Sequence, residues 1–256
     1  MSFQEKIRQK KGKTKIIMLT AYDFQMARIL DQAGIDLILV GDSSGMVVQG
    51  YSDTKSVTMA DMLFHVKAVV RGTKATPIIG DMPIDTCNST EDCLKNAEQF
   101  LGAGAHGVKI EGRRADAVKT LVQRGIAVMG HVGMLPQTAE AYQVKGKEPQ
   151  EAEQILKDAR ELDRLGVFSL VLECIPESLA KTITECVSVP TIGIGAGKHC
   201  DGQVLVINDM LGFDENFKPK YVKTYTNLNK TIKDAVKKFA EEVSTGKYPD
   251  EGHTYH

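Results

Sequence analysis

The chain has 256 residues, and 32 Lys and Arg against 33 Asp and Glu leave a net charge of −1. Hydrophobic residues make up 42% and charged residues 25%, which excludes a disordered, collagenous or coiled-coil chain. The charge balance lacks the basic excess of a general nucleic-acid binder, and no apolar run reaches the roughly 18 residues that span a bilayer.

The opening segment MSFQEKIRQKKGKTK has no apolar stretch of the kind that heads a secretory signal. It reads as a short, solvated leader, and the protein is expected in the cytoplasm. Beyond it come short apolar, β-branched runs that each end in Gly or a polar residue: Ile16–Thr20, Leu37–Gly41, Pro77–Asp81, Gly107–Glu111, Ala127–His131, Leu170–Glu173, Thr191–Gly195 and Val204–Asn208. Runs apolar on both faces predict parallel strands covered by helices. Eight of them in about 250 residues predict a (β/α)8 TIM barrel, with a doubly wound sheet as the alternative.

Helix signals fall between the runs. Asp23 precedes the pattern FQMARIL as a cap. Thr58-Met-Ala-Asp61 resembles a capping box and opens a helix that runs to Arg71 and stops at Gly72. Ser89-Thr-Glu-Asp92 opens another, and Pro149 precedes a third that closes at Gly166. Only Ala196 to Gly202 separate the last two runs, too few for a helix. A final helix is expected over Leu228 to Val243, followed by a polar tail, and no linker divides residues 1–256, which predicts a single domain. Five cysteines, an odd number, fit neither a disulfide framework nor a zinc motif and read as packing residues.

In a parallel barrel the reactive rim is formed by the carboxyl ends of the strands. Asp42, Asp81, Glu111, His131 and Glu173 stand at five successive ends. Asp42 and Asp81 are poor candidates for caps, because the next helices begin downstream at Thr58 and Ser89 with caps of their own. Lys109 and Glu111 are two apart in a strand and share a face, so Ile110 on the helix-packed side aims both charges into the barrel. A structural salt bridge is the alternative for that pair. Two Asp and one Glu supply hard oxygen ligands suited to Mg²⁺, which can chelate a 2-oxo acid and stabilise an enolate. Lys109 can then hold the substrate carboxylate. Glu173 follows Leu170-Val-Leu172, and burial there suits it as a proton-abstracting base; an exposed loop carboxylate is the other possibility. His131 either orients substrate or a carboxylate, or is a satisfied interior histidine. Gly193-Ile-Gly195-Ala-Gly197 lacks the spacing and the context of a dinucleotide fingerprint.

The segment Val40-Gly-Asp-Ser-Ser-Gly-Met-Val-Val-Gln-Gly50 closely resembles the ketopantoate hydroxymethyltransferase family. The resemblance continues through Met18-Leu-Thr-Ala-Tyr-Asp23, Val108-Lys-Ile-Glu-Gly112, Gly130-His-Val-Gly133, Leu172-Glu-Cys174, Ile192-Gly-Ile-Gly-Ala-Gly197 and Asp201-Gly-Gln-Val-Leu-Val206, ending with Tyr248-Pro249 and His253. It implies a barrel of the phosphoenolpyruvate/pyruvate type that assembles as a homo-oligomer, usually a decamer. It also implies transfer of a one-carbon unit from 5,10-methylenetetrahydrofolate to 3-methyl-2-oxobutanoate with Mg²⁺, giving 2-dehydropantoate, with no nucleic-acid or membrane partner. By motif, Asp42, Asp81 and Glu111 match metal-site carboxylates, Glu111 through water. Ser43 and Lys109 match substrate-carboxylate contacts, Asp42 and Asp81 also lie at the substrate, and Glu173 matches the proton acceptor.

The chain departs from the family pattern at Ser44, where Leu is usual, and at Tyr51-Ser-Asp-Thr54. It departs again after Pro136-Gln137, where a shortened loop reads Glu140-Ala-Tyr142 and Val144-Lys-Gly146. Those changes bear on the folate-facing surroundings. A lyase of the same superfamily, or a barrel that only binds a 2-oxo acid, are the rival readings, separated by folate-dependent product and by C3 proton exchange.

Overall fold

Continuous apolar runs can satisfy their backbone only by pairing with one another, and here they close on themselves. The computed structural model describes residues 1–215 and 219–256. Its strands are β1 (Ile16–Thr20), β2 (Leu37–Val40), β3 (Ile78–Asp81), β4 (Gly107–Glu111), β5 (Val128–Gly133), β6 (Ser169–Glu173), β7 (Thr191–Ile194) and β8 (Gly202–Leu205). Each pairs in parallel with the next, and β8 returns to β1, so the eight form a closed (β/α)8 barrel.

The helices are α1 (Phe3–Gln9), α2 (Phe24–Ala33), α3 (Ser44–Val47), α4 (Met59–Gly72), α5 (Thr90–Gly102), α6 (Ala115–Gln123), α7 (Pro149–Leu165) and α8 (Glu177–Cys186). Their starts follow the capping residues. Asp23 accepts from the Met26 N–H, Ser89 from the Asp92 N–H, and Thr58 and Asp61 form a reciprocal capping box. Gly166, at φ 94°, ends α7. Gly72 does not stop α4 but is its last residue. A Cβ there would lie 2.4 Å from the Phe24 carbonyl oxygen, so this glycine lets α2 and α4 approach closely.

Three further expectations change. The eighth strand begins two residues earlier than its apolar run, at Gly202, because pairing of Gly202 with Ile16 sets its start; Ile207 and Asn208 instead open a short helix. The leading segment is not merely solvated. Ile7 of α1 is buried and joins the barrel core with Met18, Leu39, Ile79, Met129, Val171 and Ile192. Phe3 packs edge-on against Phe168 with ring centroids 5.4 Å apart, and Arg8 donates to the carbonyls of Gly166 and Val167, so α1 plugs the amino-terminal end of the barrel. Finally, Cys87 and Cys93 are joined by a disulfide: the chain after β3 turns back so that these residues, six positions apart, meet at the first turn of α5.

The chain falls into two compact units, Met1–Val206 and Ile207–His256. The second contains α9 (Ile207–Leu211) and α10 (Leu228–Ser244), the latter one residue longer than expected. Ile232, Val236, Phe239 and Val243 recur at four, three and four residues along α10, the spacing of one helical face, and all are exposed. Among the described residues no helix is long and apolar enough to cross a membrane.

Candidate active site

Every strand-end residue singled out from the sequence stands at the carboxyl end of the barrel, and register explains how they meet. Asp81 pairs in register with Lys109, Glu111 with His131, and Gly133 with Glu173. The first two pairs set acid beside base on neighbouring strands, and the third puts Glu173 beside a glycine.

Lys109 Nζ donates to both oxygens of Asp81, at 2.7 and 2.9 Å, and both side chains are buried. The ammonium is raised above its ordinary range: burial opposes its charge, but the fields of Asp81, Asp42 and Glu111 outweigh that cost. Asp42, 7% exposed, is pushed up to about 7 by burial and by the charge of Asp81. Its backbone N–H points at Asp81 Oδ2, 3.4 Å away. Glu111 is pushed up to about 8 by burial, against the pull of Lys109.

Across the rim, Glu173 is raised to about 7 by burial, with Lys109 pulling the other way. His131 lies between the two glutamates, with Nε2 3.2 Å from Glu173 Oε2 and Nδ1 3.7 Å from Glu111 Oε2. Neither contact has hydrogen-bond alignment, and both ring nitrogens are buried without a hydrogen-bond partner among the described residues. Burial, with the Lys109 charge, holds the imidazole well below its ordinary pKa, so it is neutral. The backbone beside Glu173 is tightly constrained. A Cβ on Gly133 would lie 2.3 Å from the Glu173 carbonyl oxygen, and Cys174 takes φ 47°, a conformation that L-residues enter at a cost.

Ser43 follows Asp42 at the start of α3, and its Oγ lies 2.8 Å from the hydroxyl of Tyr22. Three residues that motif reading did not select also serve the rim. Tyr22 sits just beyond β1, within the quoted Met18–Asp23 segment, and a search of strand ends for hydroxyls as well as charges would have found it. Gln137 donates from Nε2 to Asp42 Oδ2 at 2.9 Å and from its backbone N–H to Glu111 Oε1 at 2.9 Å. Tyr142 reaches Met46 Sδ with its hydroxyl, and burial and the Glu173 charge raise its pKa. No periodicity marks the last two, which belong to the loop between β5 and α7.

Four carboxylates gathered around one ammonium make a buried site short of positive charge, which suits a cation. Among the described residues no three of His, Cys, Asp and Glu form a ready-made metal cage; Asp81 Oδ2 accepts from both Lys109 and the Asp42 N–H, while its Oδ1 accepts from Lys109 alone and keeps a lone pair. The oxygens left free on Asp42 and Glu111 fit Mg²⁺, which takes one or two carboxylates and completes its shell with water and substrate oxygens.

Comparison with known proteins places the chain in a family. The family model described as ketopantoate hydroxymethyltransferase matches residues 2–251. A 3-methyl-2-oxobutanoate hydroxymethyltransferase of Clostridium botulinum (strain Langeland) is 50% identical over 248 residues, 94% of this chain and 90% of that protein. One from Syntrophus aciditrophicus is 50% identical over 254 residues, 96% and 93% of the two chains. Among solved structures, 2,3-dimethylmalate lyase, a PEP mutase/isocitrate lyase superfamily member, superposes with a TM-score of 0.62 at 15% identity, covering 100% of this chain and 92% of that one. Phosphonopyruvate hydrolase in complex with oxalate and Mg²⁺ gives a TM-score of 0.64 at 14% identity, covering 99% and 93%. At such identities the likeness concerns the fold.

Proposed function

Because the chain belongs to the ketopantoate hydroxymethyltransferase family, we propose that Glu173 is the base that takes the C3 proton of 3-methyl-2-oxobutanoate, on a rim where Asp42, Asp81 and Glu111 serve a Mg²⁺ ion. The enzyme transfers a hydroxymethyl group to that 2-oxo acid, forming 2-dehydropantoate in pantothenate biosynthesis; in this reading 5,10-methylenetetrahydrofolate is the donor. The observation that carries it is the placement of Glu173, its side chain only 13% exposed and 3.2 Å from His131 Nε2, opposite a buried carboxylate–ammonium cluster, where burial raises it to about 7. A base poised near neutrality both accepts a proton and gives it up again.

When bound, Mg²⁺ supplies a Lewis acid that stabilises negative charge developing on the 2-oxo oxygen. The protein does the rest. Lys109 Nζ, already held by Asp81, presents its remaining charge to the substrate carboxylate. Ser43 offers its hydroxyl hydrogen there when Tyr22 donates to its Oγ. Neutral His131 lies against Glu173, bounding the substrate and steadying the base; with its N–H on Nε2 it faces the Glu173 carboxylate. Water releases the one-carbon unit from the folate as formaldehyde, leaving tetrahydrofolate. The carbanion formed at C3 makes the new C–C bond to that carbon, and the alkoxide left on its oxygen takes the proton from Glu173 to become the hydroxyl.

The same reading makes the protein a cytoplasmic homo-oligomer. The exposed apolar face of α10 supports assembly with further copies of the chain, since a stripe of that size is otherwise a liability in water.

The test is proton NMR in D₂O with 3-methyl-2-oxobutanoate and Mg²⁺, before and after adding methylenetetrahydrofolate. We expect exchange at C3 followed by folate-dependent 2-dehydropantoate. Glu173→Gln should slow exchange by about 10²–10⁴-fold while 2-oxo acid binding persists. Wild-type exchange in that variant removes Glu173 from the role, and exchange without folate-dependent product turns the reading toward a lyase.

A further inference from the structure

The loop between β5 and α7 sends one side chain down among the strand ends. Gln137 is 8% exposed, and all its donors are committed. Its backbone N–H goes to Glu111 Oε1 at 2.9 Å, and its carboxamide Nε2 to Asp42 Oδ2 at 2.9 Å and to the Met82 carbonyl at 2.8 Å. A single loop residue thereby ties together the ends of β2, β3 and β4. We infer that Gln137 is a positioning residue for the cation site, selecting which oxygen of Asp42 and of Glu111 is left to face the ion.

Lone pairs decide which oxygens face the ion. With Asp42 Oδ2 and Glu111 Oε1 held by Gln137, neither carboxylate is free to rotate, and each offers a single oxygen. An ion with strict octahedral geometry rewards ligands that arrive already oriented. The residue type follows from the same contacts. Glutamate would set another negative charge against Asp42. Asparagine is one methylene too short to reach both Asp42 and Met82. Methionine would fill the space and donate nothing.

The loop is itself fastened to the rim. Lys55 Nζ donates to the Ala139 carbonyl at 3.0 Å, and the Lys145 N–H to the Cys174 carbonyl at 2.8 Å. Gln137 is therefore delivered from a pinned segment, and the loop that departs from the family pattern after this residue also orients the two carboxylates.

This inference rests on the metal reading above, and its test separates the two. Mn²⁺ affinity is measured by titration calorimetry and by electron paramagnetic resonance, without substrate, for the wild type, Gln137→Met and an Asp42→Asn control. Loss of an outer-shell partner weakens a metal site by about 10–100-fold, and that is the shift expected for Gln137→Met. Should Gln137→Met fail to fold, Gln137→Asn carries the same expectation. A wild type that binds Mn²⁺ beside a Gln137 variant that binds it equally overturns the inference and leaves the metal reading standing. Unchanged Mn²⁺ affinity with a raised KM for 3-methyl-2-oxobutanoate also overturns it, because Gln137 would then touch substrate instead of orienting ligands. A wild type that binds no Mn²⁺ overturns both.

Discussion

Asp201 and Asp42 are buried to the same degree, 7% exposed each, at opposite ends of one barrel. Asp201, at the amino-terminal end, accepts from Lys11 Nζ, the Gly12 N–H, and both the N–H and hydroxyl of Thr191. Asp42, at the carboxyl end, accepts from Gln137 Nε2 alone among the described residues, and faces Asp81. Burial is the same, and the supply of donors is opposite. A buried carboxylate whose lone pairs are all engaged fastens structure: here it ties the plug helix to the sheet. One left short of donors, beside other carboxylates, is an unfinished site that a cation or substrate completes.

The sharpest way to break that contrast is to remove each aspartate. Asp201→Ala strands a partly buried ammonium and several N–H groups, and we expect a loss of about 3–5 kcal/mol in folding stability, read by denaturant melts. Mn²⁺ affinity and C3 exchange, normalised to folded protein, should stay near wild type, because the change lies at the far end of the strands. A loss of metal binding without a loss of stability would show that the two ends are not separable.

The second test concerns the rim alone. Glu173 acts as a base only when ionised. In enzyme saturated with Mg²⁺, whose binding keeps Asp42 and Glu111 deprotonated, and with the Glu173 pKa raised to about 7, the rate of C3 exchange should climb roughly tenfold per pH unit below that value and level off above it. Lys109 lowers that midpoint and Asp81 raises it. His131, held neutral by burial, adds no second limb in this range. A rate flat from pH 5.5 to 8 would mean a glutamate of ordinary pKa, and the distinction between the rim and a solvated carboxylate would fail.

Much of the rim was legible in the sequence because strands keep a period of two and parallel barrels put chemistry at strand ends. Lys109 and Glu111 had to share a face, and Asp42 and Asp81 had no helix start nearby to cap. The parts that were not legible depend on distance in space. The plug helix carries only Phe3 and Ile7 as apolar signal within a cationic stretch. The start of β8 is decided by pairing with Ile16, not by its own composition. The Cys87–Cys93 bond requires the chain to double back within six residues. Gln137 is one amide in an aperiodic loop, and its importance lies in three partners at the ends of three different strands.

The smallest effect expected is also the one that inverts the sign of the first. Asp42→Asn keeps an oxygen that accepts from Gln137 Nε2, and it removes a buried negative charge that faces Asp81. In metal-free protein at neutral pH or above, the wild type bears the cost of that charge with little to offset it, so the variant should be more stable by about 1 kcal/mol. At this chain length that is roughly 2–4 °C in Tm. Adding Mn²⁺ should reverse the order, because only the wild type gains the binding energy of a complete ligand set. Asp201→Asn has no such compensation and should destabilise with or without the ion. If Asp42→Asn lowers Tm in metal-free protein, then Asp42 is a fastening carboxylate like Asp201, and its burial owes nothing to the site at the rim.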